Sequence, residues 1–355
     1  MTRPILDLVD ISKRFDPKLS LGDRIAAKIS ADVETRSVQA VRAVTVSLVK
    51  GETLGLVGES GCGKSTLGRM AAGIMRPTAG TVRLDGAPMM SDAGTKLTTR
   101  VQTVFQDPFA SLNPRIKVGE TLAEGPIAHG LVTRGNAPAY IAEWLSLVGL
   151  DPSFRSRYPH QFSGGQRQRI AIARALAMQP EVLVCDEPVA SLDVSIQAQI
   201  INLLLKLKGE LGLTYLFISH DLGVVRHISE RVAIMYLGRI VEIGETEQLY
   251  DSPKHPYTQA LLASVPRLIT DDNDLAEFRP IAGEIPSPLA PPPGCPFHTR
   301  CPYAGPRCPA EVPALVPGIT DRPVACHLYT GGVELGAPAC TLREASALET
   351  MRVSR

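Results

Sequence analysis

GESGCGKST, residues Gly58–Thr66, is the stretch on which the reading of this chain turns. It follows the apolar run TLGLV (Thr53–Val57), which reads as a buried strand. It precedes KSTLGRMAAGIM, which reads as a helix with Leu67, Met70, Ala71 and Ile74 on one side. A strand, a glycine loop and a helix are the context in which G-x-x-x-x-G-K-[ST] binds phosphate. Glycines let successive backbone N–H groups turn toward one anion, and the helix N-terminus adds partial positive charge. Lys64 is then the cation for the β- and γ-phosphates, and the Ser65 hydroxyl is a magnesium ligand.

A second buried strand lies in PEVLVCDEP (Pro180–Pro188), ending in the paired acids Asp186 and Glu187. After a phosphate loop in the same chain, Asp186 suits a water-bridged Mg2+ contact and Glu187 suits a base for an attacking water. Just upstream, QFSGGQRQRIAIARAL opens a helix with Ser163, Gly164, Gly165 and Gln166 and carries Ile170, Ala173 and Ala177 on its apolar face. A serine and two bare N–H groups at a helix start make a second anion site.

The bulk numbers bound the rest. The chain has 355 residues with 37 Lys+Arg against 36 Asp+Glu, so its net charge of +1 gives no electrostatic footprint for nucleic acid. Hydrophobic residues make up 44% of it, which fits a folded protein. No apolar run is long enough to span a bilayer, and the N-terminus lacks a secretory h-region. A cytoplasmic protein is expected, in which the seven cysteines are not structural disulfides.

The chain resembles the nucleotide-binding subunit of an ATP-binding-cassette (ABC) transporter. GESGCGKST matches the Walker A loop, VFQDP the Q-loop with Gln106, FSGGQ the signature with Phe162 in place of leucine, VLVCDE the Walker B strand, SLD the D-loop with Asp193, and ISHD the switch with His220. The resemblance implies an α/β fold: a P-loop ATPase core with an antiparallel β subdomain, a helical subdomain over about 101–162, and a core unit spanning 1–250. It implies ATP and Mg2+ as ligands, held by Gly58, Glu59, Ser60, Gly61, Cys62, Gly63, Lys64, Ser65 and Thr66, with Ser65, Gln106 and Asp186 around the metal. Glu187, His220, Lys64 and Gln106 are the implied catalytic groups. Ser163, Gly164, Gly165, Gln166 and Asp193 are implied to meet the ATP of a second subunit, since one copy of each motif cannot close two sites. Phe15 is the implied adenine-stacking ring. The insertion at 17–37 that follows it departs from the pattern. Ser20 and Asp23 there suggest a cap, and Leu21, Ile25 and Ile29 suggest a short amphipathic helix.

HPYTQALLASVPRL (from His255) and GEIPSPLAPPPGCPFHTRCPYAGPRC resemble the C-terminal extension of dipeptide/oligopeptide-type importers, here 251–330, followed by a tail at 331–355. VFQDPFASLNPR is closest to the second of their two paralogous ATPases. The resemblance implies a heterodimer with the paralogue, two transmembrane permeases, an external substrate-binding protein and a peripheral place on the cytoplasmic face of the membrane. The cargo is a di- or oligopeptide, or alternatively an oligosaccharide, opine or nickel chelate. A soluble ABC ATPase of DNA repair or translation is the rival, and its second cassette, coiled coil or zinc insertion is not seen. Cys295, Cys301, Cys308 and Cys326, spaced x5, x6 and x17, suit a tetrahedral or cubane metal site. The loose spacing favours a [4Fe-4S] cluster over Zn2+ or free thiols, with His298 and His327 adjoining as substitute ligands. Cys62 and Cys185 read as small buried residues.

Overall fold

A computed structural model describes residues 3–16, 37–107, 111–264, 281, 283–317 and 321–329. The helix expected on Leu21, Ile25 and Ile29, and Cys340 in the tail, lie outside the described residues. Two sheets form. The first contains β1 (Pro4–Phe15), β2 (Val38–Val49), β4 (Ala79–Leu84) and β5 (Ala87–Pro88), is antiparallel throughout and runs β2-β1-β4-β5. The second contains β3 (Thr53–Val57), β6 (Val101–Val104), β7 (Val182–Asp186), β8 (Thr214–Ile218), β9 (Arg231–Tyr236), β10 (Arg239–Glu245), β11 (Val316–Pro317) and β12 (Pro323–Val324). Its order is β11-β12-β10-β9-β3-β8-β7-β6, and the five strands from β9 to β6 are parallel.

Strands β3, β7 and β8 are buried at every position, as continuous apolar runs must be when both faces of a parallel sheet are covered. The alternation of the pleat divides their side chains between two cores. Leu54, Leu56, Val182, Val184, Leu216 and Ile218 pack toward the antiparallel sheet and α1 (Lys64–Ala71). Leu183, Cys185, Tyr215 and Phe217 pack in the other core. That core also takes side chains of α2 (Val118–Ala128), α3 (Ala137–Leu147), α4 (Gly164–Leu176) and α5 (Val194–Leu211). The chain then adds α6 (Leu222–Ile228), α7 (Thr246–Asp251) and α8 (Pro256–Ala263).

Two expectations need correction. The helix after the phosphate loop ends at Ala71, and Ile74 is half exposed rather than on its buried side. Gly73 takes a φ of +69°, and the N–H groups of Ile74 and Met75 both fold back to the Arg69 carbonyl, a turn that closes the helix. The helical stretch also does not begin at Val101. Residues Val101–Val104 pair in parallel with β7 and belong to the main sheet, because four residues of strand there bring Gln106 to its edge.

Among the described residues, the buried side chains that the extension adds to a hydrophobic core, Tyr257, Cys295 and Phe297 among them, belong to a core of the main unit rather than to a separate one. Phe297 is 1% exposed and packs its ring against Tyr236, Tyr257 and His255 at 5.3, 5.4 and 5.9 Å. Strand β12 joins the sheet opposite Glu242 of β10. Glu242 is fully buried and accepts from Arg322 Nε at 2.9 Å and from the backbone N–H groups of Lys254 and His255 at 3.0 and 2.9 Å. Arg322 also donates to the Ser252 carbonyl. One carboxylate thus fixes three segments of chain. Arg322→Ala leaves that charge without its cation, and an expected loss of about 3–5 kcal/mol is to be read as a lowered denaturant midpoint, with the C-terminal extension the first part cut by protease.

Candidate functional site

Strands β3, β8, β7 and β6 are neighbours and parallel, so their carboxyl ends lie along one sheet edge. That edge is where open α/β sheets bind ligands. The phosphate loop follows β3, the His220 segment follows β8, the paired acids end β7, and Gln106 follows β6.

The loop is shaped from both sides. Gly63 caps α1 with a φ of +108°, and a Cβ there would stand 2.2 Å from the Ala40 carbonyl oxygen of β2. The Cys62 carbonyl accepts from the Gly238 N–H at 2.8 Å. Cys62 is buried, and burial pushes its thiol pKa up against the pull of Lys64. Lys64 is 5% exposed, and its Nζ donates to the carbonyls of Gly58 and Glu59 at 2.7 and 3.1 Å. The cation therefore rests on loop oxygens. Ser60 and Gly61 lie exposed at the mouth of the loop, and Ser65 and Thr66 start the helix half-buried.

Ser65 Oγ donates to Asp186 Oδ1 at 2.8 Å. Asp186 is 5% exposed, and burial raises its pKa against the opposing effect of the Ser65 bond. A buried carboxylate and a hydroxyl at one point fit a hard divalent cation with oxygen ligands. Glu187, the next residue, has a φ of +47°, a strained conformation for a residue with a side chain. Its N–H donates to the Ile218 carbonyl at 2.9 Å, which pins the turn to β8. Its Oε2 accepts from Gln106 Nε2 at 2.9 Å, and its Oε1 lies 3.3 Å from His220 Nδ1. Gln106 and His220 thus converge on one carboxylate from opposite sides. Gln106 is turned to Glu187 here, not to Ser65 and Asp186. Cys185 is fully buried, which raises its thiol pKa, and it takes no part at this edge.

Ser163–Gln166 stand apart from this group. Ser163 Oγ accepts from the Gln166 N–H at 3.4 Å and Gln166 Oε1 accepts from the Ser163 N–H at 3.1 Å, a reciprocal cap on α4. Gly164 and Gly165 lie in that same first turn. Asp193 stands exposed at the N-cap position of α5 without a side-chain capping bond, followed by Val194 at 81% exposure. Phe15 ends β1, opposite Val38 of the strand that passes the loop at Ala40. Its ring is 41% exposed, with Lys13 Nζ 5.3 Å from its centroid.

In the extension, Cys295, Cys301, Cys308 and Cys326 line one cavity of about 290 Å³, with His255 and His327 on its wall. All four are free thiols. Burial pushes Cys301 up to about 11 and Cys326 up to about 12, and the other cluster thiols add to both shifts. Cys308 Sγ accepts from the Gly305 N–H at 3.4 Å. His298 Nδ1 bonds the Cys295 carbonyl and His327 Nε2 the Glu311 carbonyl, so those nitrogens are engaged elsewhere. Among the described residues, no group of three or more His, Cys, Asp or Glu side chains is drawn together closely enough to hold a metal ion, which bears on the cluster and on zinc alike.

The profile of the ABC transporter family matches residues 41–190, and that of the oligopeptide/dipeptide transporter C-terminal region matches residues 241–308. The chain is 50% identical over 330 residues to the oligopeptide transport ATP-binding protein AppF of Bacillus subtilis, covering 92% of this chain and 98% of the relative. The chain belongs to the ATP-binding subunits of oligopeptide/dipeptide ABC transporters. The oligopeptide transport ATP-binding protein OppF of Salmonella typhimurium is 48% identical to this ABC subunit over 327 residues, covering 91% of the chain and 95% of the relative. Among solved structures, the dimeric post-hydrolysis state of the ATP-binding cassette MJ0796 with ADP and Pi aligns with a TM-score of 0.56 and 27% identity, over 68% of this chain and 98% of that one. The expected α/β ABC ATPase fold is therefore the observed one.

Two features of this ABC subunit's site are absent from the motif reading. The S-x-x-Q capping box at Ser163 and Gln166 was present in the sequence as a recognisable spacing. The second is Glu59: its side chain turns away from the loop mouth toward Arg300, which follows it by 241 residues, and no local signal points there. The loop geometry itself is testable. Gly63→Ala puts a Cβ against backbone at a φ that side chains avoid, and a loss above about 1 kcal/mol is expected from denaturant unfolding. Gly135→Ala, which meets nothing within 4 Å, serves as the neutral comparison.

Proposed function

We propose that this subunit hydrolyses ATP to drive import of di- or oligopeptides through membrane permeases, and that Glu187 is the base for the attacking water. The carrying observation is the convergence of Gln106 Nε2 and His220 Nδ1 on the two oxygens of Glu187, next to the Ser65–Asp186 pair. Membership in the ABC family supports ATP hydrolysis, and the names of AppF and OppF support a peptide cargo.

In this reading Lys64 exchanges the Gly58 and Glu59 carbonyls for the β- and γ-phosphates, and the loop N–H groups hold the rest of their charge. Ser65 and Asp186, joined by Gln106, would hold Mg2+, which would neutralise charge on the phosphates. Glu187 takes the proton of the water, and His220 orients that water and the γ-phosphate. Phe15 offers an exposed ring for the adenine face. Ser163, Gly164, Gly165, Gln166 and Asp193 serve the ATP of a second, paralogous subunit. The dimeric MJ0796 cassette supports such pairing, as does the exposed Val194 beside Asp193.

A groove of about 350 Å³ lies between Phe105 and α2, lined by Ile74, Leu122, Pro126 and Met178 with Glu124 and Arg174 beside them. It adjoins Gln106 and suits a cytoplasmic helix of a permease, so that γ-phosphate contact at Gln106 is felt at the membrane partner. Among the described residues no helix is long and apolar enough to cross a membrane; in this reading the subunit attaches to the permeases at the cytoplasmic face. An external binding protein completes the importer.

The four extension cysteines are proposed to hold a [4Fe-4S] cluster. The shared cavity and the N–H group aimed at Cys308 Sγ support it. Its role is structural, because ATP hydrolysis moves no electron.

Glu187→Gln keeps ATP binding and lowers turnover at least about a hundredfold, the usual worth of a general base; hydrolysis near wild type reassigns the base. Anaerobic purification yields brown protein with about four irons per chain, and Cys301→Ser bleaches it while MgATP still binds. Colourless protein with one zinc, or metal-free protein with a protease-resistant extension, refutes the cluster.

A further inference from the structure

Glu59 poses a problem for a phosphate loop. A carboxylate one residue from Gly58 and five from Lys64 repels the anion that the loop collects. The structure answers it from the far end of the chain. Arg300 Nη1 donates to Glu59 Oε2 at 2.8 Å and Nη2 donates to Oε1 at 3.1 Å, a two-pronged contact. Arg300 is 8% exposed, and its guanidinium lies 5.9 Å from the ring centroids of both Tyr236 and Phe297. The Glu59 N–H donates to Tyr257 Oη at 2.9 Å, and Tyr257 is fully buried against Tyr236 at 4.6 Å. Glu59 is therefore held at its carboxylate by Arg300, at its N–H by Tyr257 and at its carbonyl by Lys64. The first two partners belong to the extension and the third to the loop's own helix.

We propose that Arg300, with Tyr257, is a positioning residue for ATP binding: the C-terminal extension clamps Glu59, neutralising it and keeping the phosphate loop open for the nucleotide. This rests on the ATPase reading above. The clamp acts on binding and not on the hydrolytic step, because what it holds is the Glu59 carboxylate and N–H in the phosphate loop, and not the Gln106–Glu187–His220 group. It makes the affinity for ATP depend on a segment outside the nucleotide motifs. The pairing is also specific to arginine, since a lysine supplies charge without the second prong.

The test is a double-mutant cycle on the full chain, with MgATP binding by titration and steady-state hydrolysis as readouts. Arg300→Ala is expected to weaken MgATP binding about tenfold, equivalent to about 1.4 kcal/mol, raising KM while kcat stays within about threefold. Arg300→Lys falls between it and wild type. Adding Glu59→Gln to Arg300→Ala removes the stranded carboxylate and restores binding toward wild type, an outcome that mere loosening of the fold does not give. If the double variant binds no better than Arg300→Ala, or if Arg300→Ala binds as wild type does, the clamp is overturned. A fall in kcat at unchanged KM overturns it as well. Wild-type protein that fails to bind MgATP overturns the ATPase reading itself, and with it the clamp, which separates the two failures.

Discussion

Everything at the site depends on parallel pairing of four adjacent strands. Because β3, β8, β7 and β6 run the same way, their carboxyl ends open onto one edge, spaced by about 4.8 Å per strand. Parallel pairing requires crossovers that cover both faces, and so it requires strands that are apolar on both sides. The fully buried runs of β3, β7 and β8 meet that requirement. The polar residues then have nowhere to go but the ends. Ser65 and Asp186, and Gln106, Glu187 and His220, far apart in sequence, arrive within bonding reach as a pair and a trio along this edge, with Lys64 on the loop beside them.

Each of these polar groups has a partner. Lys64 rests on two loop carbonyls, Ser65 on Asp186, and Gln106 on Glu187, with His220 beside it. A buried cation and a buried carboxylate left unpaired would each be costly. These contacts hold the side chains in place along the edge. The strained φ of Glu187 belongs to the same economy of position. It turns the carboxylate out of the β7 line and into the open edge, and the bond from its N–H to Ile218 holds the turn.

The C-terminal extension is woven into this arrangement rather than appended to it. Phe297 enters the main core, β12 lengthens the main sheet, and Glu242 binds three segments through one buried carboxylate. A segment rich in proline and without long apolar runs cannot build a core of this kind alone. Borrowed packing and four clustered thiols take its place. Through Phe297, Tyr257 and Arg300 the same segment also lies against the phosphate loop.

What the sequence determined by itself is local chemistry: the apolar runs that become the central strands, the glycine loop and its lysine, the paired acids at Asp186 and Glu187, and the four late cysteines. These are legible because each depends on neighbours within a few residues. The end of α1 at Gly73, the assignment of Val101–Val104 to the sheet and the capping box at Ser163 were also written locally, but competing apolar spacing or a functional motif obscured them. What only the tertiary structure decided is who meets whom. Gln106 and His220 meet on Glu187 because β6, β7 and β8 are neighbours in that order, and no periodicity encodes strand order. Arg300 meets Glu59 across 241 residues because the extension folds back onto the carboxyl edge of the sheet. Long-range pairings of buried charge are selected by the summed packing of the whole chain, and so they become visible only once that packing exists.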